Sequence, residues 1–236
     1  MPKLMSLRMP VPLPKAAISW SAGKDSMLAL LLAREAGLDV GHFLTMCEAD
    51  GVSKSHALPQ SLIAAQVAAL GGLWTAVSVQ PGAYAADFEA ALASLRAQGC
   101  SHMVFGDIDL RAHRDWLEPA CAKAGLQAVF PLWGMPRSAV AETIISRGIQ
   151  AVLVCVDTRW LAAEFAGCAY DAALLARLPA GVCPCGEGGE FHSFVWNGPG
   201  FAAPLSLRAG PVRHVASRPP FQPTEFVFCT PEWHAP

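Results

Sequence analysis

The stretch "ISWSAGKDSMLAL", residues 18–30, runs apolar, breaks into small residues around one Lys and one Asp, and turns apolar again. A small-residue turn from a buried strand into a helix makes an anion site. Backbone N–H groups at the helix start point outward, and the helix dipole favours negative charge there. Gly23 permits close approach of the backbone to a ligand. Lys24 adds a positive charge, and Ser21 and Ser26 add hydroxyl donors. Asp25 cannot hold a phosphate oxygen itself, but it can hold a Mg²⁺ that does. A Walker A loop, G-x-x-x-x-G-K-[ST], is excluded because its first glycine is missing and an Asp follows the Lys.

The second candidate stretch is "GVCPCGEGGEFHSFVWNGPGF", residues 181–201. Gly186, Gly188 and Gly189 surround Glu187 and Glu190, and His192 follows. A glycine-rich loop can wrap a ligand closely. Its carboxylates can orient an amine, bind Mg²⁺ or act as bases. Cys183, Cys185 and His192 supply only three ligands where a zinc site takes four; the cysteine pair could equally form a disulfide or carry sulfur. Elsewhere, Asp107 and Asp109 suit Mg²⁺ or helix capping. Arg114 suits a phosphate or a surface ion pair. His56 suits ligand contact or a cap. Trp133, Trp196 and Phe201 read as packing.

Apolar periodicity indicates which elements must position these groups. Strands are expected over 16–20, 40–46, 73–79, 102–105, 126–130 and 151–156. Helices are expected over 24–36, 56–70, 83–98, 116–124 and 137–147, with stops at Gly37, Gly71, Gly125 and Gly148. Strands separated by helices predict an α/β fold, a doubly wound parallel sheet with right-handed crossovers. Ligands then bind outside the carboxyl ends of the strands, in the loops after Trp20, Met46, Val79, Phe105 and Phe130. Past about residue 157 a short helix over 171–178, a strand over 191–196 and proline-rich β-like runs predict a smaller α+β region. The expected organisation is a tail, 1–15, a nucleotide-binding domain, 16–131, and a C-terminal substrate-binding region, 132–236.

Composition narrows the function classes. The 236 residues are 53% hydrophobic and 15% charged, with net charge −2, so neither disorder nor bulk nucleic-acid binding is favoured. Most of the eight cysteines sit singly in apolar runs, which fits free thiols in a reducing, cytoplasmic setting. The Pro-broken N-terminus lacks a signal-peptide centre, and no run approaches the ~20 apolar residues of a membrane span.

"SAGKDS" resembles the PP-loop, S-G-G-K-D-S, of the ATP pyrophosphatases, which hold ATP by its β,γ-phosphates and cleave between α and β. Ala22 replaces the first glycine, and Ala calls for a more ordinary backbone angle. "CGEGGEFHSF" resembles the C-G-E-x-G-E-[FY]-x-T-F signature of the diphthine–ammonia ligase family. The likeness runs from about 16 to 201 and takes in "GDIDLRAHRDWLEPAC" and "PLW" at 131–133. Arg114 and Glu118 match the family's central motif, whereas a second Arg falls on Trp116. Cys183 stands where Asp is common, and Ser193 replaces Thr.

The resemblance implies a HUP/Rossmann-like core of five parallel strands and an ATP-dependent ligase. The enzyme would activate a carboxylate as an acyl-adenylate, release pyrophosphate and form an amide with ammonia or another amine. ATP would lie on Ser21, Ala22, Gly23, Lys24, Asp25, Ser26, Gly106 and Arg114, with Mg²⁺ on Asp25 and Asp107. Lys24, Glu187 and Glu190 would be catalytic. Cys185, Gly186, Gly188, Gly189, His192 and Ser193 would contact the acceptor, a small molecule or a modified protein side chain. Two alternatives remain: a PP-loop sulfur-transfer enzyme using Cys183 and Cys185, and a non-catalytic adenine-nucleotide sensor. An oligomer is possible with any of the three.

Overall fold

A computed structural model describes residues 12–48, 52–53, 56–217 and 223–233; most of the tail expected over 1–15 lies outside the described residues. The first half of the chain forms β1 (Lys15–Ser19), α1 (Lys24–Glu35), β2 (Asp39–Cys47), α2 (Gln60–Ala69), β3 (Leu73–Ser78), α3 (Tyr84–Ala97), β4 (His102–Val104), α4 (Arg111–Lys123) and β5 (Gln127–Val129). The five strands make one all-parallel sheet in the order β3-β2-β1-β4-β5. The order reverses between β1 and β4, the switch point where such sheets open a crevice.

The second half begins with α5 (Arg137–Ser146) and β6 (Gln150–Asp157). It continues through α6 (Ala172–Arg177), β7 (Phe191–Asn197), β8 (Leu207–Arg208), β9 (Val212–Ala216), β10 (Glu225–Cys229) and β11 (Glu232–Trp233). An antiparallel sheet in the order β7-β6-β10-β9 and a two-stranded β8–β11 ribbon result.

Helices α1 to α5 all end alike. The N–H of a glycine, Gly37, Gly71, Gly99, Gly125 or Gly148, bonds back to the third residue before it, and the next N–H bonds to the fifth before it. Each of those glycines has positive φ, which is what the helix-terminating motif requires. The four stops expected from sequence are among them. One start differs. The sequence predicts a helix over 56–70, but α2 begins at Gln60, because Pro59 holds an extended backbone at φ −59°, ψ 141° and disfavours helix for the residue before it. His56 is therefore in the preceding turn. The helix expected over 116–124 starts earlier, at Arg111.

Two apolar clusters cover the two faces of the parallel sheet. One, under α3 and α4, gathers Phe88, Leu92, Leu95, Met103 and Leu117. The other is larger and is shared between the halves: Ile18, Met27, Leu28 and Ile63 pack with Val140, Leu153, Phe194 and Val227. Met27, Leu28, Ala29, Leu30 and Leu31 of α1 are all buried, because the parallel sheet lies on one side of this helix and the antiparallel sheet on another. Full burial of each such large side chain contributes about 2 kcal/mol.

One polar side chain lies inside this seam. Gln66, on α2, accepts from Trp20 Nε1 at 2.8 Å and donates from Nε2 to the carbonyls of Ala22 at 3.0 Å and Val195 at 2.5 Å. It has no exposed surface. We expect Gln66→Leu to lower the unfolding free energy by about 3 kcal/mol, since it strands one buried donor and weakens the pairing of two carbonyls. Urea denaturation measures this; a change within experimental error would show that the seam does not depend on Gln66.

Candidate active site

At the switch point the loops after β1 and β4 open a cleft of about 290 Å³. Its walls come from Ser21, Lys24, Asp25 and Ser26 at the start of α1, with Ala22 and Gly23 behind them, from Gly106 and Asp107 after β4, from His56, and from residues between Cys185 and Ser193 of the second half. The two stretches singled out by sequence thus meet around one space, although about 160 residues apart.

The turn is tightly built. Ala22 takes φ +67°, so the more ordinary angle expected for Ala does not hold: the loop keeps the left-handed bend of a glycine, at a cost of about 1–2 kcal/mol. The bend lets the Ala22 carbonyl accept both Gln66 Nε2 and the Val195 N–H, each at 3.0 Å, which offsets the strain. Gly23 is the N-cap of α1, and a Cβ there would stand 2.6 Å from His56 Cε1. At Gly106 a Cβ would stand 3.0 Å from the Ser26 nitrogen, so only glycine lets the β4 loop lie against the helix start. Ser21 Oγ meets Ser26 Oγ at 3.1 Å and accepts the Gly23 N–H at 3.3 Å. Asp25 and Ser26 occupy the second and third helical positions, whose N–H groups have no acceptor within the helix. Helix-start amides of this kind are suited to an anion, while the Ser26 hydroxyl donates to the Gly23 carbonyl at 2.9 Å.

Lys24 is only 2% exposed. Its Nζ donates to the Cys185 carbonyl at 2.5 Å and to Asp25 Oδ2 at 2.8 Å, and lies 5.3 Å and 5.2 Å from the ring centres of Tyr170 and Phe191. Its backbone N–H donates to Ser193 Oγ at 3.2 Å, so the Ser in place of Thr keeps the hydroxyl contact. The Tyr170 hydroxyl donates to the Pro184 carbonyl at 2.7 Å and braces the same loop.

The two loop carboxylates do different things. Glu187 lines the cleft, and burial together with the charge of Asp25 raises its carboxyl from 4.5 to about 7. Glu190 does not line it. Its Oε1 accepts the Cys183 N–H at 3.2 Å and its Oε2 the Gly188 N–H at 2.8 Å, so it folds the loop back on itself. Gly186 and Gly189 line the cleft, whereas Gly188 is behind it. Cys183 is also behind it. Contact with Cys185, backbone N–H groups and Arg137 lower the Cys183 thiol from its ordinary value, against its burial. Arg137 Nη1 is 3.5 Å from its sulfur and also grips Asp109 through two hydrogen bonds. Cys185 donates its thiol to the Arg137 carbonyl at 3.1 Å.

His56 and His192 lie side by side on one wall, ring centres 4.7 Å apart and planes tilted by 34°. Burial, then Lys24, lowers His192 to about 4; burial, then His192 and Lys24, puts His56 well below its ordinary value. Both are neutral imidazoles at pH 7. Arg114 does not line the cleft. It pairs with Glu118 at 2.6 Å and its guanidinium lies over Trp133 and Phe130, 4.7 Å and 5.1 Å from their ring centres.

Among the described residues no three His, Cys, Asp or Glu side chains gather as a metal cage. Mg²⁺ needs none when phosphates supply the other ligands. Asp25 fits such an ion, since its Oδ1 is buried without a hydrogen-bond partner. Asp107 is less free, with Oδ1 bound to His113 Nδ1 at 2.9 Å. Sequence reasoning missed Gln66, Tyr170, Arg137 and His113. Only Gln66 left a signal there, as the one polar residue in the apolar run "LIAAQVAAL".

The pH dependence of stability reports on Glu187. Its folded value, about 7, is above its ordinary 4.5, so the folded protein keeps a proton that the unfolded chain releases. The associated stability is full below 4.5 and is lost as pH rises through about 7. Glu187→Gln should therefore raise the Tm relative to wild type at about pH 8 and by much less at about pH 5. Equal shifts at both values, in thermal melts, would rule out the raised carboxyl.

Comparison with known proteins comes down on the same side as the motifs. Residues 14–128 match the family described as the diphthamide synthase N-terminal domain. No curated protein gives a significant match. No helix among the described residues is long and apolar enough to cross a membrane. The matched stretch takes in β1 to β5 and the whole Ser21–Ser26 turn. Residues 14–128 are thus similar to the diphthamide synthase N-terminal domain, which supports a PP-loop, ATP-utilising reading and agrees with the resemblance to the diphthine–ammonia ligases.

Proposed function

We propose that the protein is an ATP-dependent amide ligase of the diphthine–ammonia ligase type, working in the cytoplasm. The observation that carries this is the closure of the Cys185–Ser193 loop onto the PP-loop, with Lys24 bonded to Cys185 and Ser193. A nucleotide site needs only the first loop; the second brings a titratable carboxylate to the place where phosphates would lie. The eight free cysteines fit a reducing compartment.

In this reaction the α1 amides, Ser21 and Ser26 hold the β,γ-phosphates, and the nearby Lys24 charge favours the departing pyrophosphate. Asp25 would hold Mg²⁺, which neutralises phosphate charge during α–β cleavage. The acceptor carboxylate attacks the α-phosphorus, the bond to pyrophosphate breaks, and an acyl-adenylate forms. Glu187, as carboxylate, then takes a proton from ammonium. The nitrogen attacks the acyl carbon, the C–O bond breaks with its electrons going to AMP, a second proton passes to water, and an amide remains. The neutral His56 and His192 add no positive charge that would repel the ammonium. Glu190 supports this chemistry by holding the loop's shape.

The lowered Cys183 thiol, with Arg137 3.5 Å from its sulfur, favours one second reading, transfer of sulfur to an adenylated acceptor. Full activity after replacing Cys183 and Cys185 together by Ser would remove it.

Incubated with Mg²⁺-ATP, ammonium and fractions of cell extract, the protein should form AMP and pyrophosphate in equal amounts, dependent on one fraction. Lys24→Ala should reduce turnover at least about 100-fold, the scale of losing one transition-state contact. The rate should rise about tenfold per pH unit up to about 7 and then level, and Glu187→Gln should flatten the profile. ADP in place of AMP would overturn α–β cleavage.

A further inference from the structure

The amide-forming reaction leaves the thiols of Cys183 and Cys185 unused, yet the backbone brings these two together. The Gly186 N–H bonds to the Cys183 carbonyl at 3.0 Å and closes a β-turn, with Pro184 at the second position, where its fixed φ suits such a turn. The Tyr170 hydroxyl, bonded to the Pro184 carbonyl, holds the turn in place. The first and third Cα atoms of a turn of this kind stand roughly 5–6.5 Å apart, inside the span of a disulfide. The side chains converge as well. Each thiol is in contact with the other, and both meet Arg137: Nη1 is 3.5 Å from the Cys183 sulfur, and the Cys185 thiol donates to the Arg137 carbonyl at 3.1 Å.

This pair differs from the other cysteines. Burial raises the thiols of Cys47, Cys100, Cys121, Cys155 and Cys229. Cys183 moves the other way, because contact with Cys185, backbone N–H groups and the Arg137 cation outweigh its burial. A sulfur beside a cation, with a second thiol against it, is the arrangement that oxidation selects. Cys183 keeps 8% of its surface and Cys185 2%, so the first suits attack on a small oxidant and the second suits resolution.

We propose that Cys183 and Cys185 are a redox-active dithiol, oxidised by a hydroperoxide to a disulfide that loosens the loop's hold on Lys24 and is reopened by a thiol reductant. The Cys183 sulfur attacks one peroxide oxygen, the O–O bond breaks, and the leaving oxygen departs with the Cys183 proton, as water when the oxidant is hydrogen peroxide. The Cys185 sulfur then attacks the sulfenic sulfur, the S–O bond breaks, and a water leaves with the Cys185 proton. Two thiols are oxidised and one peroxide is reduced. The new bond takes the Cys185 thiol off the Arg137 carbonyl and draws the two sulfurs together across the turn. The carbonyl of that same Cys185 accepts Lys24 Nζ at 2.5 Å, so the ammonium feels the movement directly. In a reducing compartment such a bond is transient. The dithiol chemistry stands apart from the ligase reading; only its consequence for ATP rests on that reading.

Peptide mapping of the full chain, reduced and then treated with hydrogen peroxide, tests this. Trypsin releases residues 178–208 as one peptide that holds Cys183 and Cys185 and no other cysteine. It should become lighter by two hydrogens, resist alkylation, and regain its mass with dithiothreitol. Acetylation by an N-hydroxysuccinimide ester reads the loop. Lys24 should label at least tenfold faster in the oxidised protein, while Lys123, 69% exposed, labels equally in both forms. Cys183→Ser and Cys185→Ser should each abolish both changes, with melting curves to check folding. A peptide that gains oxygen atoms in place of losing hydrogens, a peptide that does not react, or equal Lys24 labelling in the two forms would each overturn the proposal. Titration with α,β-methylene-ATP is separate: its failure to bind the reduced protein would remove the ligase reading and leave the dithiol standing.

Discussion

A buried ammonium organises this molecule. Lys24 has 2% of its surface exposed, and a charge taken that far from water needs partners or it costs several kcal/mol. Its partners come from both halves of the chain: Asp25 beside it, the Cys185 carbonyl, and the faces of Tyr170 and Phe191. Each of these fixes a segment. Cys185 cannot leave Lys24 without unpairing the ammonium, so the Cys185–Ser193 loop stays over the turn. Tyr170 and Phe191, facing the same nitrogen, tie α6's approach and β7 to the parallel sheet. The second half is therefore held to the first by the residue that also supplies the positive charge of the cleft.

The strain at Ala22 belongs to the same arrangement. A left-handed Ala costs roughly 1–2 kcal/mol, and nothing in the turn alone repays it. What repays it is the double use of the Ala22 carbonyl by Gln66 and Val195. Gln66 reaches that carbonyl from the middle of α2, whose start after Pro59 leaves His56 in a turn beside Gly23. The strained residue, the buried glutamine and the histidine on the cleft wall meet at one place, the start of α1.

That dependence explains what the sequence could and could not disclose. The five parallel strands and most helix ends were legible because periodicity and glycine stops are local. The Ser21–Ser26 turn was legible because its chemistry is written in six consecutive residues. Glu187 and Glu190 looked alike, three positions apart in one glycine-rich loop, yet one faces the cleft and the other spends both oxygens on loop amides. Which carboxylate turns inward depends on the three-dimensional path of the loop, which no spacing rule supplies. Arg114 likewise matched a motif, and the two aromatic faces of Phe130 and Trp133, distant in sequence, draw it away from the cleft. Gln66 shows the reverse case: a polar residue in an apolar run is visible, but its three partners are not.

Cys183 draws these points together. It occupies a position where Asp is common in the resembled pattern, a substitution that by composition removes a negative charge. The surroundings favour a charge there. Contact with Cys185, backbone N–H groups and Arg137, whose Nη1 stands 3.5 Å away, lower the Cys183 thiol against its burial. Arg137 in turn is fixed by Asp109, at the far side of the β4 loop. The chain of contacts runs from the loop after β4, through Arg137, to the sulfur and on to the Cys185 segment that holds Lys24. Arg137 thus gives this position a cationic neighbour, which suits a thiolate as it would suit a carboxylate.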